Sequence, residues 1–90
     1  MMTIWKYPIE VTAKQLIAMP EGAKILTVQT QDGRPCLWAL VDPERELKCR
    51  LVHTVGTGQE VPLGARHYVG TYQLRGGLLV YHVFIWEVVT

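Results

Sequence analysis

Two aromatic and apolar segments near the end of the chain, joined by Gly76-Gly77, constrain the fold more than any other feature. A glycine pair adopts the positive φ angles that a two-residue β-hairpin loop requires, so the two segments are predicted to form one antiparallel hairpin. Counting outward from the turn, one face of the hairpin would pair Leu74 with Leu79, Tyr72 with Tyr81, Gly70 with Val83 and Tyr68 with Ile85. The other face would pair Gln73 with Val80, Thr71 with His82, Val69 with Phe84 and His67 with Trp86.

Neither face of this predicted hairpin is polar. An antiparallel sheet at the margin of a small protein usually turns one polar face to water, so a second apolar face needs a cover. Pairing between identical copies is a common way to cover such a face. We therefore predict a homo-oligomer.

Composition places the chain among small globular proteins. It has 90 residues, of which 49% are hydrophobic and 19% are charged, and its net charge is +1. A charge this close to zero gives no broad field that would attract nucleic acid or an anionic membrane. The apolar segments are too short to span a bilayer, and the first residues do not form a signal peptide. We expect a cytoplasmic protein with no membrane partner, whose Cys36 and Cys49 stay reduced.

The dipeptide Asp32-Gly33 is the strongest local signal for a second hairpin. It lies between two apolar segments, residues 23 to 31 and residues 34 to 42. Pairing outward from this turn places on one core face Leu26, Val28, Leu37, Ala39 and Val41. The opposite face is mixed, and Trp38 and Leu40 on it need a cover.

The remaining segments predict shorter strands. Thr3 to Ile9 and Leu47 to Val55 alternate in polarity, the second imperfectly. Thr12 to Met19 fits either one helical turn or a strand from Gln15 to Met19, and we favour the strand because Pro20 ends the segment early. Six to seven short strands separated by turn signals predict an all-β fold, a single small antiparallel barrel or sandwich that takes up the whole chain.

No catalytic or metal-binding motif is present. His53, His67 and His82 do not have the spacing of metal ligands, and the sequence contains no serine to act as a nucleophile. Cys36 and Cys49 fall within predicted strands, with no evident histidine and carboxylate partners. We predict a protein that is not an enzyme and that uses no metal ion or cofactor.

The segment Val55-Gly-Thr-Gly-Gln59 is rich in glycine. Backbone N–H groups in such loops can form an anion-binding nest, but the segment lacks the ending of a phosphate-binding P-loop. A turn without a ligand is the more common role. Arg50, His53, Thr54 and Thr57 lie close to it in sequence, and they would suit a phosphate group if they converge.

The aromatic residues outnumber those that so small a core can hold. The set comprises Trp5, Tyr7, Trp38, Tyr68, Tyr72, Tyr81, Phe84 and Trp86. Those left over could stack on a nucleic-acid base, contact a partner protein, or lie in an interface between copies, which we weigh first. Arg66 would face Glu87 at the open end of the last hairpin, where an ordinary ion pair is the default expectation.

Six motifs distributed along nearly the whole chain carry a resemblance to a known family. They are Thr3 to Pro8, Met19 to Ile25, Pro35 to Pro43, Val55 to Gly58, Val69 to Gln73 and Leu79 to Phe84. In these the chain resembles a family of short phage and prophage proteins of unknown function. The resemblance implies a phage origin and a bacterial host cytoplasm, and it implies no catalytic residues. The ending Ile85 to Thr90 is longer than is usual in that family.

The resulting hypothesis is a non-enzymatic phage protein that sequesters a small phosphorylated nucleotide of host defence, such as a cyclic dinucleotide or a derivative of ADP-ribose. The pocket would lie at or near a subunit interface. The candidate ligand-binding residues are Trp5, Tyr7, Arg50, His53, Thr54, Gly56, Thr57, Gly58, Arg66, His67, Tyr68, Tyr72 and Trp86. The alternatives are a protein inhibitor of a host defence enzyme and an accessory protein of the virion, and nucleic-acid binding comes last.

Overall fold

The computed structural model of the protein describes residues 1–65 and 67–86. The chain forms seven strands: β1 (Thr3–Pro8), β2 (Lys14–Pro20), β3 (Lys24–Gln31), β4 (Arg34–Val41), β5 (Leu47–Gly56), β6 (His67–Leu74) and β7 (Leu79–Trp86). The first sheet has the order β1-β4-β3 and the second has the order β2-β5-β7-β6, with every pair antiparallel. The predicted all-β fold is confirmed, and it is a sandwich because the sheets do not close into a barrel. No helix in the described residues is long and apolar enough to cross a membrane.

The hairpin predicted at Asp32-Gly33 is present. Gln31 pairs with Arg34, which leaves the two predicted residues as the loop. Their φ angles are 52° and 77°, as a two-residue turn of this type requires. Aspartate tolerates this left-handed conformation better than most residues, because its short polar side chain can bond locally.

The second hairpin has the predicted turn but only part of the predicted register. Leu78 N–H donates to the Arg75 carbonyl over 3.2 Å, and the pairs from Leu74–Leu79 to Gly70–Val83 are as expected. An extra residue, Val69, then bulges out of β6. Three predicted pairs are therefore wrong: Tyr68 faces Phe84 instead of Ile85, His67 faces Ile85 instead of Trp86, and Val69 has no partner opposite it.

Arg75, just before the glycine pair, has a φ of 52°. This left-handed conformation is strained for a residue with a Cβ atom and free of strain for glycine. We expect Arg75→Gly to raise the free energy of unfolding by about 0.5–1 kcal/mol, measured by urea denaturation. Arg75→Ala is the control, because it removes the same side chain but keeps the strain. Equal stability of the two variants would contradict this explanation.

A second bulge lies in β3, at Leu26. The pairing of β3 with β4 shifts by one residue between Ile25 and Thr27. The shift turns Leu26 outward, where it is 43% exposed, and Ile25 packs against the core instead. The prediction of Leu26 as a core residue is therefore wrong, whereas the other four residues of that predicted face are buried.

The segment from Gln15 to Met19 is part of β2, so the preference for a strand over a helical turn is confirmed. Its inward side chains join the core between the sheets. The largest fully buried side chains of that core include Ile9, Met19, Leu37, Val41, Val52 and Val83. β3 of the first sheet approaches β6 of the second closely, because Gly70 lies directly against the Val28 side chain.

The last hairpin is covered on its inner face and only in part on its outer face. The inner face, with Tyr72 and Val83, belongs to the core. The outer face of the second sheet, defined here as the side away from the core, is crossed by the loop of residues 57–65. Gly64 of this loop packs on the Trp86 ring, and His53 beneath it is only 5% exposed. The chain therefore covers part of this face itself, whereas the Tyr68 and Trp86 side chains on it remain exposed.

Candidate functional site

A cleft opens between the two sheets where both strand bulges occur. It has a volume of about 360 Å³. It is lined by Ala23, Lys24, Ile25, Leu26, Arg50, His67, Tyr68, Val69 and Ile85, and we call it the bulge cleft. Bulges bend a strand and redirect its side chains, and they are over-represented next to functional sites. The two bulges, at Leu26 and Val69, lie in the first halves of β3 and β6, beside the cleft. Beyond the bulges the two strands are in close contact, where Gly70 meets Val28.

Arg50 is the best-positioned polar group of the bulge cleft. It lies on β5 on the same side as the fully buried Val52, so its side chain enters the space between the sheets. One Nη1–H donates to the Ala23 carbonyl over 2.9 Å, and this bond fixes the guanidinium. Arg50 forms no ion pair within the described residues, so its other N–H groups remain available to an anion.

The charged side chains among the described residues of the cleft lining are all positive. Lys24 and Arg50 are cationic, and the imidazole of His67 lies opposite Ile85 at the start of β6. No carboxylate is found among the described residues that line the cleft. Apolar side chains such as Ile25 and Ile85 complete the wall. A small molecule with one anionic group and one apolar, flat group is the chemistry that this lining suits.

A chain of hydrogen bonds crosses the outer face beside the cleft. His82 has its Nε2 atom 2.8 Å from Thr57 Oγ1 and its Nδ1 atom 2.9 Å from Thr71 Oγ1. Thr71 Oγ1 is in turn 2.5 Å from the Tyr68 hydroxyl. The contact of Thr71 with His82 was expected from the hairpin register, whereas the contact with Thr57 was not. The chain ties the glycine-rich loop to the hairpin, so this loop has a structural role.

The structure brings three of the predicted ligand-binding residues to the bulge cleft: Arg50, His67 and Tyr68. The Tyr68 side chain also contacts Phe84 edge-on, with ring centroids 5.6 Å apart, and it is 60% exposed. It therefore forms the rim of the cleft and not its floor.

The other predicted ligand-binding residues lie elsewhere. Trp5 and Tyr7 are on β1, which β4 separates from β3 and the cleft. His53 and Trp86 contact each other on the outer face, with ring centroids 5.9 Å apart. Thr54 and Tyr72 are buried, and the loop of Gly56, Thr57 and Gly58 reaches the outer face at His82. Arg66 lies outside the described residues, as does Glu87, its predicted ion-pair partner.

Burial raises the pKa of two tyrosine side chains. The pKa of Tyr72 rises to about 12, the nearby Tyr81 phenol adds to the rise, and the Thr54 hydroxyl offsets part of it. Burial also raises the pKa of Tyr7. The hydroxyls of Tyr7, Thr54 and Tyr72 make no hydrogen bond of full geometry within the described residues. None of these three is among the described residues that line the bulge cleft.

Sequence reasoning missed the contribution of β3 to the cleft. Ala23, Lys24 and Leu26 line it because β3 approaches β6 across the sandwich, and no local pattern marks that approach. Within residues 1–65 and 67–86, no group of three histidine, cysteine or acidic residues is close enough together to hold a metal ion. Cys36 is buried and Cys49 is exposed, and both are free thiols.

Comparison with known proteins identifies the family of this chain. The model of a family described as a domain of unknown function, DUF7352, matches residues 1–88. The comparison with curated proteins and the comparison with solved structures gave no match.

Proposed function

Because this chain belongs to the DUF7352 family, whose function is unknown, we propose a function from the bulge cleft: it binds a small phosphorylated nucleotide without transforming it. The observation that carries the proposal is the Arg50 guanidinium, which lies inside the cleft and is fixed by the Ala23 carbonyl. A guanidinium held in place binds phosphate oxygens in a bidentate manner at a small loss of side-chain entropy.

The size of the cleft narrows the class of ligand. Ligand pockets in proteins span roughly 300–1,000 Å³, and 360 Å³ is near the lower limit. This volume suits one nucleotide unit. A cyclic dinucleotide or an ADP-ribose derivative would place its second half outside the cleft or against another copy of the chain. The cleft itself is formed by one chain, so the subunit interface that we predicted from the sequence is not required for it.

Different residues of the cleft would contact the phosphate and the base of such a ligand. Lys24 and Arg50 would neutralise the phosphate, and the apolar wall with Ile25 would contact the base. The described residues that line the cleft include no serine, threonine or cysteine that could act as a nucleophile, in keeping with a proposal of binding alone.

Titration calorimetry tests the proposal with three probes: a nucleoside monophosphate, the matching nucleoside without phosphate, and a cyclic dinucleotide. We expect the monophosphate to bind with a Kd of about 10 µM or lower, which corresponds to roughly −7 kcal/mol. The nucleoside should bind at least about tenfold more weakly, since a charge-assisted hydrogen bond contributes about 1.5–3 kcal/mol. Affinity should fall as salt is raised. Absence of binding by all three probes would overturn the proposal.

Arg50→Gln is the variant that isolates the key group. We expect it to weaken binding of the monophosphate by about 10- to 100-fold and to leave binding of the nucleoside nearly unchanged. Arg34→Gln is the matched control, because Arg34 is an exposed arginine paired with Glu10 at 3.2 Å, far along β4 from the cleft. An equal loss of affinity in both variants would show that overall charge matters and the cleft does not.

The biological setting of the proposal comes from the resemblance noted in the sequence. We propose that the nucleotide is a signal of host defence, that the protein is encoded by a phage, and that it acts in the bacterial host cytoplasm. Capture of a stoichiometric host enzyme from lysate, with no nucleotide bound, would instead favour the alternative of a protein inhibitor. Co-purification with phage particles would favour a virion accessory protein.

A further inference from the structure

β2 is an edge strand with one side open. β5 pairs with it on one side, and β2 is the first strand in the order of the second sheet. In the described part of the chain, no strand pairs with its other side. The opposite edge of this sheet is β6. Arg50 of the bulge cleft is the ladder partner of Ile17, but it lies on the side of β2 that faces β5 and not on the open side.

The direction of the free backbone groups follows from one hydrogen bond. Thr54 N–H donates to the Ala13 carbonyl over 3.0 Å, immediately before β2 begins. In an antiparallel ladder, residues that bond to the neighbouring strand alternate with residues whose N–H and C=O point away from it. Ile17 therefore bonds to β5, and Leu16 and Ala18 present their N–H and C=O groups at the open edge.

The features that keep edge strands from pairing occur only at the two ends of this edge, as Lys14 and Pro20. Natural proteins protect exposed edges with charged residues, proline or bulges. β1, the outermost strand of the other sheet, has Lys6 in its middle and Pro8 at its end. β2 has no charge between Gln15 and Met19, and Leu16 on it is 68% exposed.

We propose that β2 pairs with β2 of a second copy, antiparallel and centred on Ile17, so that the two second sheets become one continuous sheet. Centring on Ile17, the middle of the strand, overlaps Gln15 to Met19 of the two copies. The ladder ends before Pro20, which has no N–H and whose carbonyl accepts from Ala23 N–H. The same centring also places Leu16 opposite Ala18 of the second copy, and these are the residues with free backbone groups. The large Leu16 side chain then covers the small Ala18.

The charges at the two ends of the strand favour the same arrangement. Antiparallel pairing brings Lys14, at the start of β2, beside Pro20 and Glu21 of the second copy. Lys14 of each copy therefore lies near Glu21 of the other, which also pairs with Arg45 of its own chain over 3.7 Å, and no like charges face each other directly. The occupant of this edge is for this reason a second copy of the chain. The pairing uses backbone groups on the open side of β2, and no residue of β2 is among the described residues that line the bulge cleft, so the inference does not depend on the proposed function.

Sedimentation velocity over a range of concentrations tests the pairing. We expect a reversible dimer in the unmodified protein and a monomer for Leu16→Lys at the same concentrations, since a lysine protects an edge. Ile4→Lys is the matched control: Ile4 is 55% exposed on β1, and its replacement should leave the dimer intact. A monomeric unmodified protein overturns the proposal, and so does a dimer that only Ile4→Lys disrupts.

Hydrogen exchange of single amides provides a second readout that does not need a variant. The Ile17 amide bonds to β5 and should be protected at all concentrations. The amides of Leu16 and Ala18 should exchange rapidly in dilute samples and become protected as the dimer forms. Concentration-independent exchange at these two amides, with a dimer present, would place the interface on another surface and refute the pairing through β2.

Discussion

Replacing Gly64 by alanine is expected to displace the loop of residues 57–65 from the outer face and to destabilise the protein by about 2–4 kcal/mol. The reason is steric: a Cβ atom at this position would lie 1.3 Å from Cζ3 of Trp86. The indole and the loop cannot both keep their places. His53, now only 5% exposed, would become accessible to water. Urea denaturation gives the loss of stability. Because the chain has three tryptophans, fluorescence shows the change around the Trp86 indole on a background with Trp5→Phe and Trp38→Phe.

Gly56→Ala, at the end of β5 and directly before this loop, is the matched control. Its added Cβ would meet the flexible Gln59 side chain at 3.1 Å, which can move aside. We expect a cost below about 1 kcal/mol for this variant. Adding Trp86→Ala to Gly64→Ala should remove most of the extra cost that alanine at position 64 causes, because the clashing ring is gone. Equal costs for Gly56→Ala and Gly64→Ala would mean that the loop does not pack on Trp86.

Gly70→Ala is expected to lower the free energy of unfolding by about 1–3 kcal/mol, because it adds an atom where the two sheets come closest. The new Cβ would lie 2.9 Å from Cγ1 of Val28, which is 3% exposed and has little room to move. The two sheets would have to separate at this point. Denaturation by urea, followed by circular dichroism, measures the effect.

A double-mutant cycle with Val28→Ala identifies the cause. Val28→Ala alone should cost about 1.5–3 kcal/mol, since it removes buried methyl groups and leaves a cavity. In the double variant the alanine at position 70 fits into the space that Val28 leaves, so the combined cost should be lower than the sum by about 1 kcal/mol. Strict additivity would show that Gly70 is needed for its backbone conformation and not for close packing.

The parts of the fold that could be predicted are those determined by neighbouring residues. Asp32-Gly33 and Gly76-Gly77 identify their turns because two-residue hairpin loops require positive φ angles. The register next to each turn follows by counting. It fails at Leu26 and Val69, where bulges move every residue beyond them by one position. These bulges depend on how the two sheets meet, which a single strand does not encode.

The candidate site could be predicted only in part, because it also depends on how the two sheets meet. The sequence predicts Arg50 as a phosphate donor beside the glycine-rich loop, whereas the fold brings it together with His67 at the bulge cleft. Trp5 and Tyr7 are predicted to stack on a base, but the strand order places β1 away from β3. The part of the wall that β3 supplies, Lys24 included, depends on contacts between residues far apart in sequence.

The contact between β3 and β6 has a consequence for how a ligand could enter. The two strands belong to separate sheets and meet through side chains such as Val28, with no ladder joining them in the described residues. Widening the gap between them would therefore sacrifice dispersion contacts and the hydrogen bond from Arg50 to the Ala23 carbonyl, but no bond of either strand ladder. Dispersion energy is lost gradually as atoms separate, whereas breaking a ladder is costly at each step. The side of the sandwich formed by β3 and β6 can thus widen for ligands of different size while the strand pairing within both sheets stays intact.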